Sequence, residues 1–127
     1  MKKHKKHIKS VIPTTDVCEI DAKDQSLGRV ATAIVRLLQG KHKASFLTYL
    51  NKGSNVVVKN VSQIKYTGNK LENKTYYHYS GYPGGMKRKI LKDVVAKDPT
   101  DALKRAVYNM LPKNRLRKDR MKKLSFV

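Results

Sequence analysis

Residues 17–40 read VCEIDAKDQSLGRVATAIVRLLQG, a short apolar segment followed by one long helical pattern. The segment 17–22 predicts a short strand. From Leu27 onward, apolar residues recur at helical spacing, with Ser26 placed as an N-cap and Gly40 where a C-terminal glycine belongs. We therefore predict a strand followed by an amphipathic helix that packs on a sheet.

Downstream of residue 40, the sequence continues with alternating strand and helix patterns. Further strands are predicted at 55–59, 63–67, 75–80 and 124–127. The three valines of 55–59 are typical of a strand buried on both faces of a parallel sheet. After residue 85 the pattern is helical, and Asp98 and Pro99 predict the start of a second long helix. This order predicts a parallel α/β fold, with the later helices covering the sheet's second face.

The charge of the chain indicates its class of partner. Lysine and arginine number 29 against 9 aspartates and glutamates, a formal net charge of +20. Such a chain repels itself when compact, so we expect a polyanionic partner. An anionic membrane is the weaker candidate, because no run approaches the length of a spanning helix and no apolar signal core follows the basic N-terminus. Nucleic acid is favoured.

The N-terminal residues predict the domain organisation. We expect residues 1–12 to form a flexible basic arm, because lysines and histidines there surround few apolar residues. Residues 13–127 are predicted to form a single α/β domain. Cys18 is the only cysteine, which excludes an intrachain disulfide and agrees with a reducing compartment.

The residues give little support for catalysis. The first strand–helix junction, 21–29, has one glycine and no phosphate-binding loop. No pair of carboxylates stands near a histidine at a spacing used for acid–base or metal chemistry. We therefore predict no enzyme activity, no metal or other cofactor, and no small-molecule substrate.

The stretch 74–89, KTYYHYSGYPGGMKRK, has the composition of a nucleic-acid contact. Aromatic rings stack on unpaired bases, glycines allow close backbone approach, and cations neutralise phosphates. The alternative is a strand with half-buried tyrosines that ends in an ordinary turn. Alternation along a strand sends Tyr77 and Tyr79 to one face and Tyr76 with His78 to the other, so we expect one set to belong to the core.

Five motifs, in this order, carry a resemblance to a known family: Leu27-Gly28-Arg29; Gly40-Lys41-His42-Lys43-Ala44; Thr67-Gly68-Asn69-Lys70; Tyr76-Tyr77-His78 with Ser80-Gly81 and Gly84-Gly85; and Met110-Leu111-Pro112. Together they resemble the bacterial-type large ribosomal subunit protein thirteen family. The resemblance implies an α/β fold in three layers, with a four-stranded, mainly parallel sheet, helices on both faces, and a basic C-terminal tail.

The resemblance also implies a function and its partners. The chain is expected to be a structural constituent of the large ribosomal subunit, to bind and stabilise large-subunit ribosomal RNA, and to assist early assembly. Neighbouring ribosomal proteins are the other expected partners. The expected location is the ribosome, in a bacterial cytoplasm or in an organellar matrix. A basic factor that acts on RNA or DNA away from the ribosome is the alternative.

Residues predicted to bind RNA are those of the basic clusters and the aromatic and glycine residues between 77 and 85. They are Lys2, Lys3, Lys5, Lys6, Arg29, Lys41, His42, Lys43, Lys70, Tyr77, His78, Tyr79, Gly81, Gly84, Gly85, Lys87, Arg88, Lys89, Lys113, Arg115, Arg117 and Lys118. The chain departs from the family pattern at Asn109 and Arg117, where glycines are expected, and in the absence of the usual C-terminal extension.

Deleting residues 1–10 should weaken association with RNA and flatten its salt dependence. Each phosphate contact contributes close to one unit to the log–log slope of affinity against salt. Filter binding of the full and shortened chains over a range of salt concentrations checks this. An unchanged slope would show that the arm contacts no phosphate.

Overall fold

The computed structural model describes residues 16–127. Its elements, in chain order, are β1 (Val17–Asp21), α1 (Leu27–Gln39), β2 (Asn55–Lys59), a 3-10 turn (Val61–Gln63), α2 (Lys70–Asn73), β3 (Thr75–Tyr79), β4 (Met86–Ile90), α3 (Leu91–Lys97), α4 (Pro99–Met110), α5 (Leu116–Met121) and β5 (Leu124–Phe126). The predicted arm, with Lys2, Lys3, Lys5 and Lys6, lies outside the described residues.

The main sheet is parallel and has three strands in the order β1-β2-β5. Val56 stands in the middle strand, opposite Cys18 of β1 and Leu124 of β5. Strands β3 and β4 form a separate antiparallel pair. The prediction of an α/β fold with a mainly parallel sheet is confirmed at this level.

Helix α1 follows its predicted pattern closely. Val30, Ala31 and Ile34 lie on its buried side and are inaccessible to solvent. Ser26 occupies the N-cap position in extended conformation, and Gly40 ends the helix with a φ of +78°. Glycine adopts this left-handed conformation without the steric cost that other residues meet, so the helix ends where the sequence predicts.

Helix α4 begins at the predicted Asp-Pro signal. The Asp98 carboxylate accepts a hydrogen bond of 2.9 Å from the Thr100 backbone N–H, and Pro99 occupies the first helical position. Hydrogen bonds from Thr100 hold the pKa of Asp98 below its usual value. Leu103 and Val107 project from this helix into the core cluster that also holds α1.

Both long helices lie on the same face of the sheet. Val56 and Val58, which alternate onto that face, are fully buried in the cluster shared by α1 and α4. The opposite face carries a half-buried Val57 and the exposed Glu19, which pairs with Lys59 at 2.6 Å. Within β2, only Val56 and Val58, which face α1 and α4, are fully buried. The expected packing of helices on both faces of the sheet is therefore not seen among the described residues.

Residues 63–67 were predicted to form a strand, but they do not form one. Asn60 adopts a left-handed φ of 57° at the end of β2, and the chain enters the 3-10 turn. The side chains of Val61 and Ile64, in and after this turn, pack in the buried core cluster. What remains of the predicted strand is one parallel bridge between Lys65 and Ser26. The sheet consequently has three strands rather than the four that were expected.

Residues 86–90 form a strand, although a helical pattern was expected after residue 85. The turn at 80–85 reverses the chain, so that β4 pairs with β3 in a register that sets Tyr77 opposite Arg88. The strand predicted at 75–80 therefore exists, but it lies in this hairpin and not in the parallel sheet. The helix that was expected after residue 85 begins only at Leu91, as α3.

Replacing Gly53 by alanine should destabilise the fold. A Cβ atom at this position would lie 1.8 Å from the backbone oxygen of Leu38, so the loop 41–54 would have to move away from α1. Overpacking of this kind costs about 1–3 kcal/mol or more. Urea denaturation of the full chain measures the loss.

Gly28→Ala is the matched control. A Cβ atom there would meet no heavy atom within 4 Å, and the residue lies in the first turn of α1. Alanine in a helix is favoured over glycine by up to about 1 kcal/mol, so this variant should be as stable as the parent or more so. Equal stabilities for the two variants would contradict the assigned packing of Gly53.

Candidate nucleic-acid interface

Three clefts follow helix α4 along the protein surface. The first, of about 590 Å³, lies between the start of α1, the segment 65–70, the start of β3, and α4. The second, of about 410 Å³, lies between β3 and α4 and reaches Met121 of α5. The third, of about 530 Å³, is formed by Tyr108 and residues of the segment 113–118.

Neighbouring clefts share lining residues. Tyr76 and Asn109 line both the first and the second cleft. Tyr108 lines both the second and the third. The three clefts are therefore adjacent along α4, and we call them together the α4 groove.

Positive charge lines the α4 groove over its whole length. Its basic residues are Arg29, Lys65, Lys70, Lys74, Lys104, Arg105, Lys113, Arg115, Arg117 and Lys118. No acidic residue of the described chain lines these three clefts. Two of the cations are paired from outside the groove: Lys65 with Asp24 at 3.1 Å and Arg105 with Asp101 at 2.9 Å. The other eight form no ion pair within residues 16–127. Seven of these are exposed and can contact phosphates, whereas Arg117 is buried.

Tyr76 lies at the junction of the first and second clefts. The Lys74 Nζ and the Arg105 guanidinium lie 5.8 and 5.2 Å from its ring centre. Burial raises the pKa of Tyr76. Burial, and secondarily the nearby Tyr76, raises the pKa of Tyr66, and both side chains line the first cleft.

The hairpin of β3 and β4 presents the other predicted tyrosines. Tyr77 and Tyr79 are 66% and 56% exposed, whereas Tyr76 is half-buried. His78 stands opposite Lys87, and both are exposed. Of the two faces that alternation predicts, the Tyr76 side is thus the one that packs on the domain. The cations Lys87, Arg88 and Lys89 are exposed and unpaired among the described residues.

The glycines of the hairpin loop are required by the turn itself. Gly81 and Gly84 have φ values of +89° and +70°. A Cβ atom on Gly85 would lie 1.9 Å from the Ser80 hydroxyl oxygen, and the Gly85 carbonyl accepts a hydrogen bond from the Ser80 N–H. Their geometry accounts for glycine at all three positions without a ligand.

The segment 40–43 lies near the starts of β1 and β2. The Lys43 Nζ is 2.9 Å from the Asp16 carboxylate, which lowers the pKa of that carboxyl. The His42 Nε2 lies 3.2 Å from the Ser54 hydroxyl, whereas Lys41 is exposed.

A fourth cleft, of about 650 Å³, joins this segment to the α4 groove. It brings His42 together with Arg29 and Arg36 on the outer side of α1. Gly28 and Arg29 also line the first cleft, so the two clefts share two residues.

Arg117 is a predicted RNA contact that the structure places inside the protein. It is 9% exposed, and its guanidinium donates to the carbonyls of Leu111 and Pro112 at 2.8 and 3.2 Å. It also lies 4.4 Å from the ring centre of Tyr108. This side chain holds the turn between α4 and α5, and through Tyr108 it shapes the third cleft.

Lys74 and Tyr76 lie in the predicted contact stretch 74–89 but were not among the residues predicted to bind RNA. Sequence reasoning missed the other groove residues Lys65, Tyr66, Lys104, Arg105 and Tyr108. Part of this set had a visible signal. Lys104 and Tyr108, like Arg105 and Asn109, are four residues apart on α4 and so share one helix face. The remainder is assembled only by the tertiary fold.

Two other kinds of site were sought in the described part of the chain. Residues 16–127 contain no group of three or more histidine, cysteine or acidic side chains that could hold a metal ion. None of the helices described is long and apolar enough to cross a membrane.

Taken together, the parallel core and the α4 groove define a small basic α/β protein whose surface is organised around a cation-lined groove. Residues 15–126 match the family described as Ribosomal protein L13, and the chain belongs to this family of large-subunit ribosomal proteins. The resemblance found in the motifs is thereby confirmed.

Relatives from several bacteria support the same assignment. The chain is 51% identical to large ribosomal subunit protein uL13 of Desulfovibrio desulfuricans over 105 residues, which cover 83% of this chain and 73% of the relative. It is 49% identical to the proteins of the same name from Lawsonia intracellularis and from Roseiflexus sp., with 83% of this chain covered and 73% and 72% of the relatives.

Arg117→Met should destabilise the protein. The change removes two hydrogen bonds from a charged donor and the contact with Tyr108, and hydrogen bonds to charged groups contribute about 1.5–3 kcal/mol each. Arg115→Met removes the same charge from an exposed position and should change stability by no more than about 0.5 kcal/mol. Thermal and urea denaturation measure both. A fully stable Arg117→Met variant would contradict the structural role.

Proposed function

We propose that this chain is a structural constituent of the large ribosomal subunit that binds and stabilises large-subunit ribosomal RNA and assists early subunit assembly. It acts by binding and catalyses no reaction. Family membership supports the place in the subunit. The observation that carries the RNA contact is the α4 groove, whose lining holds many cations and no acid.

The groove and the hairpin divide the binding task. Lysines and arginines supply most of the affinity, because each phosphate they neutralise releases counterions. The exposed hairpin sets the Tyr77 ring opposite Arg88 on one face and His78 opposite Lys87 on the other, an arrangement suited to unpaired bases flanked by phosphates. Folded RNA offers both features at once, since its phosphates face several directions and its loops expose bases.

The charge of the chain also supports an early place in assembly. A net charge of +20 on 127 residues destabilises the compact state by self-repulsion, which a polyanion offsets. A chain that binds early in assembly meets RNA phosphates that are still exposed, and their negative charge offsets this repulsion. Neighbouring ribosomal proteins are the further partners, and the bacterial relatives support a place in cytoplasmic ribosomes.

Sucrose-gradient sedimentation of a lysate in high salt tests the proposal. The chain should sediment with the large subunit in stoichiometric amount, because an integral protein holds its RNA by many contacts at once. A chain left at the top of the gradient would contradict the proposal and favour a factor that acts away from the ribosome.

A charge-reversal pair links this result to the groove. Lys104, Lys113 and Lys118, all changed to glutamate, should lower incorporation into large subunits, because they reverse charge along the α4 groove. Lys23, Lys52 and Lys97, changed in the same way, alter net charge equally at exposed positions outside the groove. Equal incorporation of the two triple variants would show that the groove carries no RNA.

A further inference from the structure

The first cleft has the dimensions and the lining of a ligand site. Its volume of about 590 Å³ falls within the range of small-ligand pockets, roughly 300–1,000 Å³. Its apolar wall is formed by Leu27, Leu91, Ala106 and Met110, from α1, α3 and α4. Met110 is 45% exposed, so part of this apolar surface is open to solvent in the free protein.

Two tyrosines line the cleft. Tyr66 comes from the segment after the 3-10 turn and Tyr76 from β3. Both side chains are half-buried. Aromatic rings beside an apolar wall offer the flat surface on which a nucleobase stacks.

Cations surround the same cleft. The Lys70 Nζ donates a hydrogen bond of 3.1 Å to the Thr67 hydroxyl, and the Lys74 Nζ lies 5.8 Å from the centre of the Tyr76 ring. Arg29 forms no ion pair within the described chain. Only Lys65 is neutralised, by Asp24. The cleft therefore combines a surface for a base with positive charge for a phosphate.

We propose that the first cleft holds one unpaired nucleotide of the bound RNA. Its base stacks against Tyr76, with Tyr66 lining the same cleft, and its phosphate is bound by Arg29, Lys70 and Lys74. This inference rests on the proposed function and adds a defined base-binding site to it.

The position of Tyr76 favours a nucleotide within a chain over a free one. Its side chain lines both the first and the second cleft, so RNA that leaves the first cleft would continue past Lys104 and Arg105. A free nucleotide would contact neither of these two cations. An acidic peptide would match the charge but would leave the two tyrosines without a stacking partner.

Ultraviolet crosslinking of purified large subunits, followed by mass spectrometry of peptide–nucleotide adducts, tests the site in the intact assembly. We expect adducts on Tyr66 or Tyr76. Adducts on other residues of this chain, with none on these two tyrosines, would overturn the inference and leave the ribosomal role standing. Absence of the chain from large subunits would overturn both.

Affinity measurements on variants separate stacking from packing. Tyr76→Leu should weaken binding of the full chain to large-subunit ribosomal RNA by roughly 5- to 100-fold, the range expected for a lost base–aromatic stack. Tyr76→Phe keeps the ring and should restore most of the affinity. Tyr49→Leu is the matched control, because Tyr49 is 70% exposed and lines none of the clefts described.

Melting temperatures show whether each variant is folded, and the phenylalanine variant keeps the test valid if the leucine variant is unstable. A Tyr76→Phe variant that is folded but as weak as Tyr76→Leu would contradict stacking. Binding equal to the parent in a folded Tyr76→Leu variant would do the same.

The free chain should show no saturable binding of adenosine or uridine monophosphate at millimolar concentration. Saturable binding in the micromolar range would assign the cleft to a free nucleotide and overturn the inference.

Discussion

The packing of α1 against the sheet and against α4 is the constraint on which the rest of the structure depends. Val30, Ile34, Val58 and Val107 meet in one buried cluster, which fixes α4 beside α1 on the same sheet face. The walls of the first cleft follow from this placement, because the start of α1 and residues of α4 line it. Strand β3 of the hairpin adds Tyr76, which lines both the first and the second cleft.

Cations have two separate roles in this protein. Arg117 and Arg120 are buried, and Arg117 is held by backbone carbonyls. Burial lowers the pKa of Arg120, and burial together with Lys43 and Arg120 lowers that of Lys123. The cations of the groove remain largely unpaired on the surface. A count of basic residues therefore overstates the charge available to RNA, and position in the fold decides which cations serve it.

Local signals predicted the elements that depend on local physics. The periodic α1, the strand at the valines of β2 and the Asp98-Pro99 start of α4 were correct, because burial period and capping act within a few residues. The expected burial of β2 on both faces was not, since Val57 is only half-buried. The sequence reasoning did not predict the strand at 86–90, and it predicted a strand at 63–67 that does not form. Both errors arise because strand pairing depends on residues that are distant in the sequence. Likewise, Tyr66 and Tyr76 come together only through the fold, whereas Arg117 has the sequence appearance of a surface cation and is buried.

Lysine acetylation footprinting of the complex with naked large-subunit ribosomal RNA tests the central claim, that the α4 groove is the RNA-binding surface. Lys70, Lys74, Lys104 and Lys113 should lose reactivity towards an amine-specific reagent when RNA binds, because phosphates cover them. The exposed Lys23, outside the groove, should keep its reactivity. Groove lysines that stay as reactive as in the free protein, with protection confined to other surfaces, would contradict the account.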